Sequence, residues 1–518
     1  MADRAVPLAR WPGWSTGTLV GALILGALVA VALRAEPGAG LRPADWAAVR
    51  FTVVQAVLSA LISVALAVPV ARALARRRFA GRRALVGLLG APFILPVIVA
   101  VLGLLTVFGR AGWISTALGV LNLPPVQIYG LHGVVLAHVF FNLPLAARLI
   151  LQGWQEIPAE RFRLAAQLGA GPREIWRLLE RPMLMRVVPS AATVIFAICL
   201  SSFAVALTLG GGPRATTIEL AIYQAFRFDF DLGRAALLSC VQIALTVAAA
   251  LVALQLGRGD GFGGGLERPV QRWDANTFGH RLLDGALIAL AALFLMLPLA
   301  AIITSGAAGL PGLPASVWQA ALNSVLVALA STVAMLLLAL PMAATVAAGR
   351  GGAIELAGLL GLAVSPLVIG TGLFVILHPV TDVFALALPL TALVNAVMAL
   401  PFALRILIPR ARQIVAQNGR LALSLDMSST LFLLRILLPR MRAQIGFAAG
   451  LAAALSMGDL GVIALFASPE RTTLPLQIYR LMGAYQMQAA AGAALLLLAL
   501  SMALFWIFDR GGRGHAEA

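Results

Sequence analysis

Few side chains in this sequence can do chemistry. Asp459 lies inside the apolar stretch LSMGDLGVIALF (455–466), between Gly458 and Gly461. A carboxylate within a bilayer costs about 3 kcal/mol on insertion scales, so it must face a cavity, a partner or a helix end. Facing a cavity, it lowers the barrier for a cationic solute; facing an arginine or a helix terminus, it is structural. The sequence leaves both open. Glu219 and Tyr223 are further candidates for a solute path, although the acids Glu219, Asp229 and Asp231, beside Arg214 and Arg227, also suit contact with a binding partner. Tyr129, Tyr223, Tyr479 and Trp113 can stack on a flat ring or anchor the chain at a membrane interface. His132 and His138 have no companions at metal-ligand spacing. Cys199 and Cys240 fall in apolar runs and read as small core residues. The glycines at 210–212 before Pro213 read as a helix stop in preference to a phosphate cradle. No Ser-His, HExxH or paired-Asp constellation is present, so neither a catalytic residue nor a metal site is expected.

All 38 basic residues are arginine and none is lysine. A nucleotide-cradling P-loop needs its lysine, and a Schiff base needs one too. Any ATP and magnesium used must therefore sit on another subunit, and no cofactor is expected here.

The elements that must position these residues are apolar. Of 518 residues, 61% are hydrophobic and 11% charged, against about 25% charged in soluble domains; the mean hydropathy is +0.96. These values indicate an all-α polytopic membrane protein. Apolar runs long enough to span lie near 14–33, 51–75, 84–108, 129–151, 187–209 and 235–256, then 282–305, 318–348, 353–377, 383–408, 443–466 and 486–508. About twelve transmembrane helices result, as two sets of six. The first run follows Arg4 and Arg10 and reads as a retained anchor, not a cleaved leader. Pro92, Pro96 and Pro366 can break or kink their spans.

The formal charge of +17 could suggest nucleic acid, but the arginines punctuate apolar runs instead of forming one basic surface. They concentrate on the side that would carry the N-terminus, most densely at Arg72, Arg76, Arg77, Arg78, Arg82 and Arg83. The positive-inside rule then places both termini in the cytoplasm.

The stretch LAAQLGAGPREIWRLLERPML (164–184) repeats as LALSLDMSSTLFLLRILLPRM (421–441) at an offset of 257, pairing Ala165 with Ala422, Gly169 with Asp426 and Pro182 with Pro439. RATTIELAIYQ (214–224) repeats near the same offset as RTTLPLQIYR (471–480). The chain therefore divides into a first half, 1–256, a glycine-rich cytoplasmic linker, 257–280, and a second half, 281–518. After the fourth span of each half comes a long polar stretch, near 153–186 and 409–442. In the first, Arg161–Leu168 should be helical, Gly169–Gly171 should break it, and Pro172 should start a second helix that ends at Pro182. In the second, Asp426 and Ser428–Thr430 supply cap chemistry before Leu431–Leu438. Such a helix-turn-helix suits docking of a partner, or lying on lipid.

These loops resemble the EAA loops of the permease subunits of ATP-binding-cassette importers, whose pattern is Glu-Ala-Ala, three residues, Gly, nine residues, Ile-x-Leu-Pro. The Gly falls on Gly169 and the Pro on Pro182; the second copy keeps the spacing with Asp426 and Pro439. The pattern's Glu is Arg163 in one copy and Arg420 in the other. The Ile-x-Leu element reads Leu179, Glu180, Arg181. The resemblance implies that Arg163, Ala165, Gly169, Pro172, Pro182, Arg420, Ala422, Asp426 and Pro439 belong to coupling helices that dock on two copies of a separate ATPase.

ILPVIVAVLGLLTVFGRAGW (94–113), YGLHGVVLAHVFFNLPLAARL (129–149), LGGGPRATTIELAIYQA (209–225) and LSMGDLGVIALF (455–466) resemble the fused thiamine importer permeases. That resemblance implies a periplasmic thiamine-binding protein as partner, thiamine or its phosphate esters as cargo, and the bacterial inner membrane as location. Ferric iron, polyamines or phosphonates are alternative cargoes for such permeases. An ion-driven secondary transporter is a further alternative, supported by RRRFAGRR (76–83) but lacking the acid that precedes that motif and the intramembrane carboxylates proton coupling needs.

Overall fold

A computed structural model describes residues 8–513 apart from 10, 37–39, 91–93, 213–214, 257–271, 273, 350 and 469–470. Arg4, Arg10, Pro92, Pro213, Arg214 and most of the expected linker therefore lie outside the described residues. The described residues form helices and no strand. The first set is α1 (Trp11–Arg34), α2 (Pro43–Arg76), α3 (Arg82–Leu88), α4 (Val97–Phe108), α5 (Trp113–Val120), α6 (Leu131–Gln155), α7 (Ala159–Gln167), α8 (Pro172–Ile175), α9 (Arg181–Leu200), α10 (Phe203–Leu209), α11 (Ile218–Arg227) and α12 (Leu232–Leu256). The second is α13 (Phe278–Gly309), α14 (Ala315–Ala347), α15 (Gly352–Leu359), α16 (Pro366–Leu377), α17 (Ala387–Ser424), α18 (Ser429–Phe432), α19 (Leu438–Met457), α20 (Gly461–Phe466), α21 (Leu474–Gly483) and α22 (Met487–Arg513).

Among the described residues, 11 helices are long and apolar enough to cross a membrane, or up to 12 when a bent pair is counted as one span. This agrees with the polytopic all-α expectation, but several apolar runs are not single rods. The run at 353–377 is two helices, Gly352–Leu362 and Pro366–Leu377, meeting at 99°. The run at 84–108 stops at Leu88 and resumes after Pro96. The runs at 187–209 and 443–466 break between α9 and α10 and between α19 and α20. Pro96 and Pro366 stand at the first two of these breaks, where proline removes a backbone donor and clashes with the preceding turn; the other two fall at Ser201–Ser202 and Gly458–Leu460 and contain no proline. Hydropathy alone does not register such breaks.

The first helix of each set packs against members of the other set: α1 lies on α14, α15 and α16, and α13 on α2 and α4 as well as α22. Small residues make both approaches possible. A Cβ on Gly372 would sit 2.3 Å from the Ala27 carbonyl oxygen, and one on Gly103 would sit 2.6 Å from that of Pro298. Close backbone approach through glycine is how apolar helices gain dispersion contact inside lipid.

Several polar residues inside the spans tie helices together, although Ser63 Oγ and Gln55 Oε1 make no hydrogen bond among the described residues. On α2, Thr52, Gln55, Ser59 and Ser63 fall on one buried face. Thr52 Oγ1 accepts from Ile218 N at 2.9 Å, and Gln55 Nε2 donates to the Cys199 carbonyl at 2.7 Å. On α14, Ser324 Oγ accepts from Leu474 N at 2.8 Å, so α11 and α21 are each tied at their first turn to a second-span hydroxyl.

Candidate coupling loops and membrane path

The two long loops share their backbone geometry. α7 ends in a left-handed residue, Gly169 at φ 70°, with Ala170 N donating to the Ala165 carbonyl (3.0 Å) and Gly169 N to that of Ala166 (3.1 Å). α17 ends in the same way at Asp426, φ 50°, with Met427 N donating to the Ala422 carbonyl (3.0 Å) and Asp426 N to that of Leu423 (3.2 Å). This is a Schellman closure. Glycine carries no Cβ penalty there, and aspartate is among the residues that tolerate the left-handed region. The pairing of Gly169 with Asp426 is thus a shared conformational demand.

Beyond the turn, Pro172 occupies the first turn of α8, whereas Ser428 Oγ caps α18 by accepting from Leu431 N at 3.3 Å. Pro182 and Pro439 do not end these helices, contrary to the expectation for Pro182. In both copies the chain passes through a π turn, Trp176–Glu180 and Leu433–Leu437, and continues as α9 or α19 with the proline in its first turn. The wider i to i+5 turn re-registers the backbone just where proline supplies no donor. Arg163 and Arg420 are exposed, Ala165 is half-buried and Ala422 buried. Leu164 and Leu168 are 56% and 76% exposed, and Leu421 and Leu425, at the same offset, 60% and 65%.

In the span region, the helix breaks come together. A Cβ on Gly458 would lie 3.2 Å from Pro96 Cα, while one on Gly461 would lie 3.8 Å from Phe203 Cδ1 and 3.9 Å from Leu367 Cγ. The starts of α4, α10, α16 and α20 therefore meet. Asp459 occupies the break before α20, where its Oδ1 accepts from Gly461 N at 3.1 Å. Among the described residues its buried Oδ2 makes no geometric hydrogen bond, although the Asn395 side chain lies beside the carboxyl. At the same offset stands Ser202, whose Oγ lies 2.6 Å from His138 Nε2; His138 Nδ1 in turn lies 3.2 Å from Ser59 Oγ. Asn395, the counterpart of His138, donates to Ser456 Oγ at 3.0 Å.

Glu219 is 2% exposed, so it does not belong to the surface contact suggested for its segment. Its carboxylate accepts from Ser365 Oγ, and Ser365 also caps α16 by accepting from Leu367 N at 3.3 Å. The amphipathic α11 turns this residue inward against the bend. Asp229 and Asp231 do reach the surface, but they pair with Arg234 (3.0 Å) and Arg42 (3.2 Å), not with Arg227. Tyr223 is buried, edge-on to Phe203 and Phe228 with ring centroids 5.2 and 5.7 Å away. Among the described residues no group of three or more His, Cys, Asp or Glu can hold a metal ion.

Curated relatives match this chain along almost all of its length. The Thiamine transport system permease protein ThiP of Salmonella typhimurium is 40% identical over 539 aligned residues, covering 100% of both chains. That of Escherichia coli is 40% identical over 538, covering 98% of each. That of Brucella abortus is 40% identical over 507, covering 95% of this chain and 93% of its own. The chain belongs to the thiamine transport system permease family. No family model matches it. As an ABC permease it is a multi-pass transport subunit and not an enzyme, which removes the secondary-transporter alternative.

Glu180, at the end of the first π turn, is fully buried and meets Arg72 (2.6 Å), Arg272 (2.9 Å) and Arg76 (3.6 Å). Arg272 also holds Asp274 at 2.7 Å and lies 4.6 Å over the Phe162 ring, and Arg72 lies 5.0 Å over Trp176. The end of the expected linker is therefore packed against the first long loop, because its charges complete this cluster. Burial acts to raise the Asp274 carboxyl, but the Arg272 hydrogen bond and charge, with Arg76, hold it below its ordinary value. Among the described residues the second loop shows no equivalent cluster, and Leu437 stands at the position of Glu180. The hydroxyl stripe of α2 was also missed; its signal was a helical repeat of polar residues within an apolar run.

Proposed function

We propose that this permease forms the membrane path of an ATP-driven importer of thiamine and its phosphate esters. Two copies of an ABC ATPase, each carrying its own ATP and magnesium, dock on the loops near 153–186 and 409–442. Arg163, Ala165, Gly169, Pro172 and Pro182 shape one docking site; Arg420, Ala422, Asp426 and Pro439 shape the other. The halves 1–256 and 281–518 are homologous, both termini face the cytoplasm, and a periplasmic thiamine-binding protein delivers cargo on the opposite face. The observation that carries the docking reading is the coincidence, at one offset, of a Schellman closure, a π turn before a proline and two leucines left more than half exposed. Apolar side chains exposed on an arginine-rich loop suit a protein partner. The thiamine assignment rests on the names of the full-length relatives.

Within the spans, Asp459 fits a path for a fixed-charge cation: one oxygen caps α20 and the other, among the described residues, makes no hydrogen bond where the helix breaks converge. Glu219 and Tyr223 support that path from α11, Glu219 by holding the bent third span through Ser365. The experiment is reconstitution in nanodiscs with the ATPase and the binding protein. Thiamine-loaded binding protein should stimulate ATP hydrolysis above the unloaded protein. Equal stimulation by ferric ion or spermidine, each with its own binding protein, would reject the cargo assignment, and hydrolysis indifferent to the permease would reject the coupling.

A further inference from the structure

The arginine cluster that closes α2 does more than balance charge. Arg72, Arg76, Arg77, Arg78, Arg272 and Arg281 gather at one end of α2 and α13, where three carboxylates, Glu180, Asp274 and Asp284, face them. Among the described residues the cluster holds more arginines than carboxylates. A cavity of about 710 Å³ opens there, lined by five of these arginines. Arg76 has a side chain only 4% exposed, and among the described residues its buried Nε has no hydrogen-bond partner. An unpartnered guanidinium nitrogen on the wall of a basic cavity calls for an anion.

The rest of the lining says which kind. Arg281, Gly285, Ile288 and Ala289 line the cavity from one face of α13, so the wall runs from cationic to apolar within about two turns. Neighbouring Leu282 and Leu283 are 63% and 58% exposed on a helix apolar enough to span. The site thus lies at a membrane boundary, with charge at its rim and an apolar groove leading inward. We propose that it holds the phosphodiester headgroup of an anionic phospholipid, with acyl chain along Gly285, Ile288 and Ala289. A soluble phosphate has no use for that groove. An acidic segment of a docked subunit would have to pass the lipid-facing leucines. Basic recesses between spanning helices at a membrane surface are a known kind of site for anionic headgroups.

The test uses the full chain, reconstituted in mixed phosphatidylcholine and phosphatidylglycerol nanodiscs, then extracted and examined by native mass spectrometry for retained lipid. Phosphatidylglycerol should be retained over phosphatidylcholine. Arg281→Gln, at an exposed position outside the buried ion pairs, should weaken that retention about 5-fold, equivalent to ~1 kcal/mol for one arginine near the surface. Ile288→Trp, which fills the apolar end, should displace the lipid; if this variant does not fold, Arg281→Gln decides alone. Equal retention of the two lipids, or no effect of Arg281→Gln, overturns the proposal. Displacement by inorganic phosphate alone would make the site one for a soluble anion, and displacement by the added ATPase would make it a protein contact. Either outcome also overturns it.

Discussion

The exposed leucines of the coupling loops give the sharpest test of docking. Fully burying a leucine contributes about 1.5–3 kcal/mol. Leu164 and Leu168 are 56% and 76% exposed in the free permease, so covering both would contribute about 2–4 kcal/mol to holding one ATPase. Leu164→Ser with Leu168→Ser removes that contribution with little effect on the permease itself, since exposed substitutions usually change stability by about 0.5 kcal/mol or less. Affinity at that loop should fall roughly 30- to 1,000-fold. Leu421→Ser with Leu425→Ser should do the same at the other loop, where the exposures are 60% and 65%. Native mass spectrometry of the detergent-solubilised complex reads the outcome directly: either double variant should retain one ATPase and the quadruple variant none. Detergent also separates docking from a loop that merely lies on lipid, because no bilayer is present. Two ATPases bound at unchanged affinity by both double variants would refute the reasoning.

The remaining expectations concern the turns, the ion cluster and the path. Gly169→Ala should lower thermal stability by about 1–2 kcal/mol through its left-handed backbone, while Asp426→Gly should be neutral or stabilising; the opposite order in a melting series would contradict the Schellman reading. Glu180→Gln should destabilise the protein by about 3–5 kcal/mol, because it leaves buried arginines uncompensated. Asp274 is held below its ordinary 3.8, so its contribution is complete above that value and is lost as pH falls through the lower folded value. An Asp274→Asn variant should therefore show a shallower loss of stability in acid than the parent, and identical acid profiles would remove Asp274 from the account. Asp459→Asn should abolish thiamine uptake while assembly and basal ATP hydrolysis survive; unchanged uptake would return Asp459 to a cap for α20.

Composition and hydropathy made the class of fold legible because a bilayer imposes length and apolarity on every crossing. Breaks were less legible. Pro366 and Pro96 were visible as possible interruptions, yet nothing in their neighbourhood distinguished a kink from the 99° bend that turns Ser365 toward Glu219. The loops were legible in outline, since glycine, proline and cap residues have local meanings. Pro182 reads in sequence as a stop because the π turn that accommodates it depends on hydrogen-bond registration, which leaves little mark on composition.

Long-range electrostatics were the least legible of all. Arg272 and Asp274 looked like the end of a polar linker, and Glu180 like a departure from a loop pattern. Only the fold shows that they neutralise one another beside Arg72 and Arg76. The consequence is an asymmetry between loops of like backbone. The first is fastened to α2 and to the connection between the two sets of helices through a buried ionic cluster and two arginine–aromatic contacts, whereas the second, with Leu437, shows no such cluster among the described residues and is tied instead by Ser429 Oγ accepting from Ala9 N at 2.6 Å. On the proposed docking, motion delivered to the first loop would act on Arg72, Arg76 and Arg272 together. The same pull at the second loop passes along α17, one helix of 38 residues, about 57 Å long, that runs from the helix turn at Asp426 past Asn395. Identical ATPases would then act on the membrane path through two different linkages.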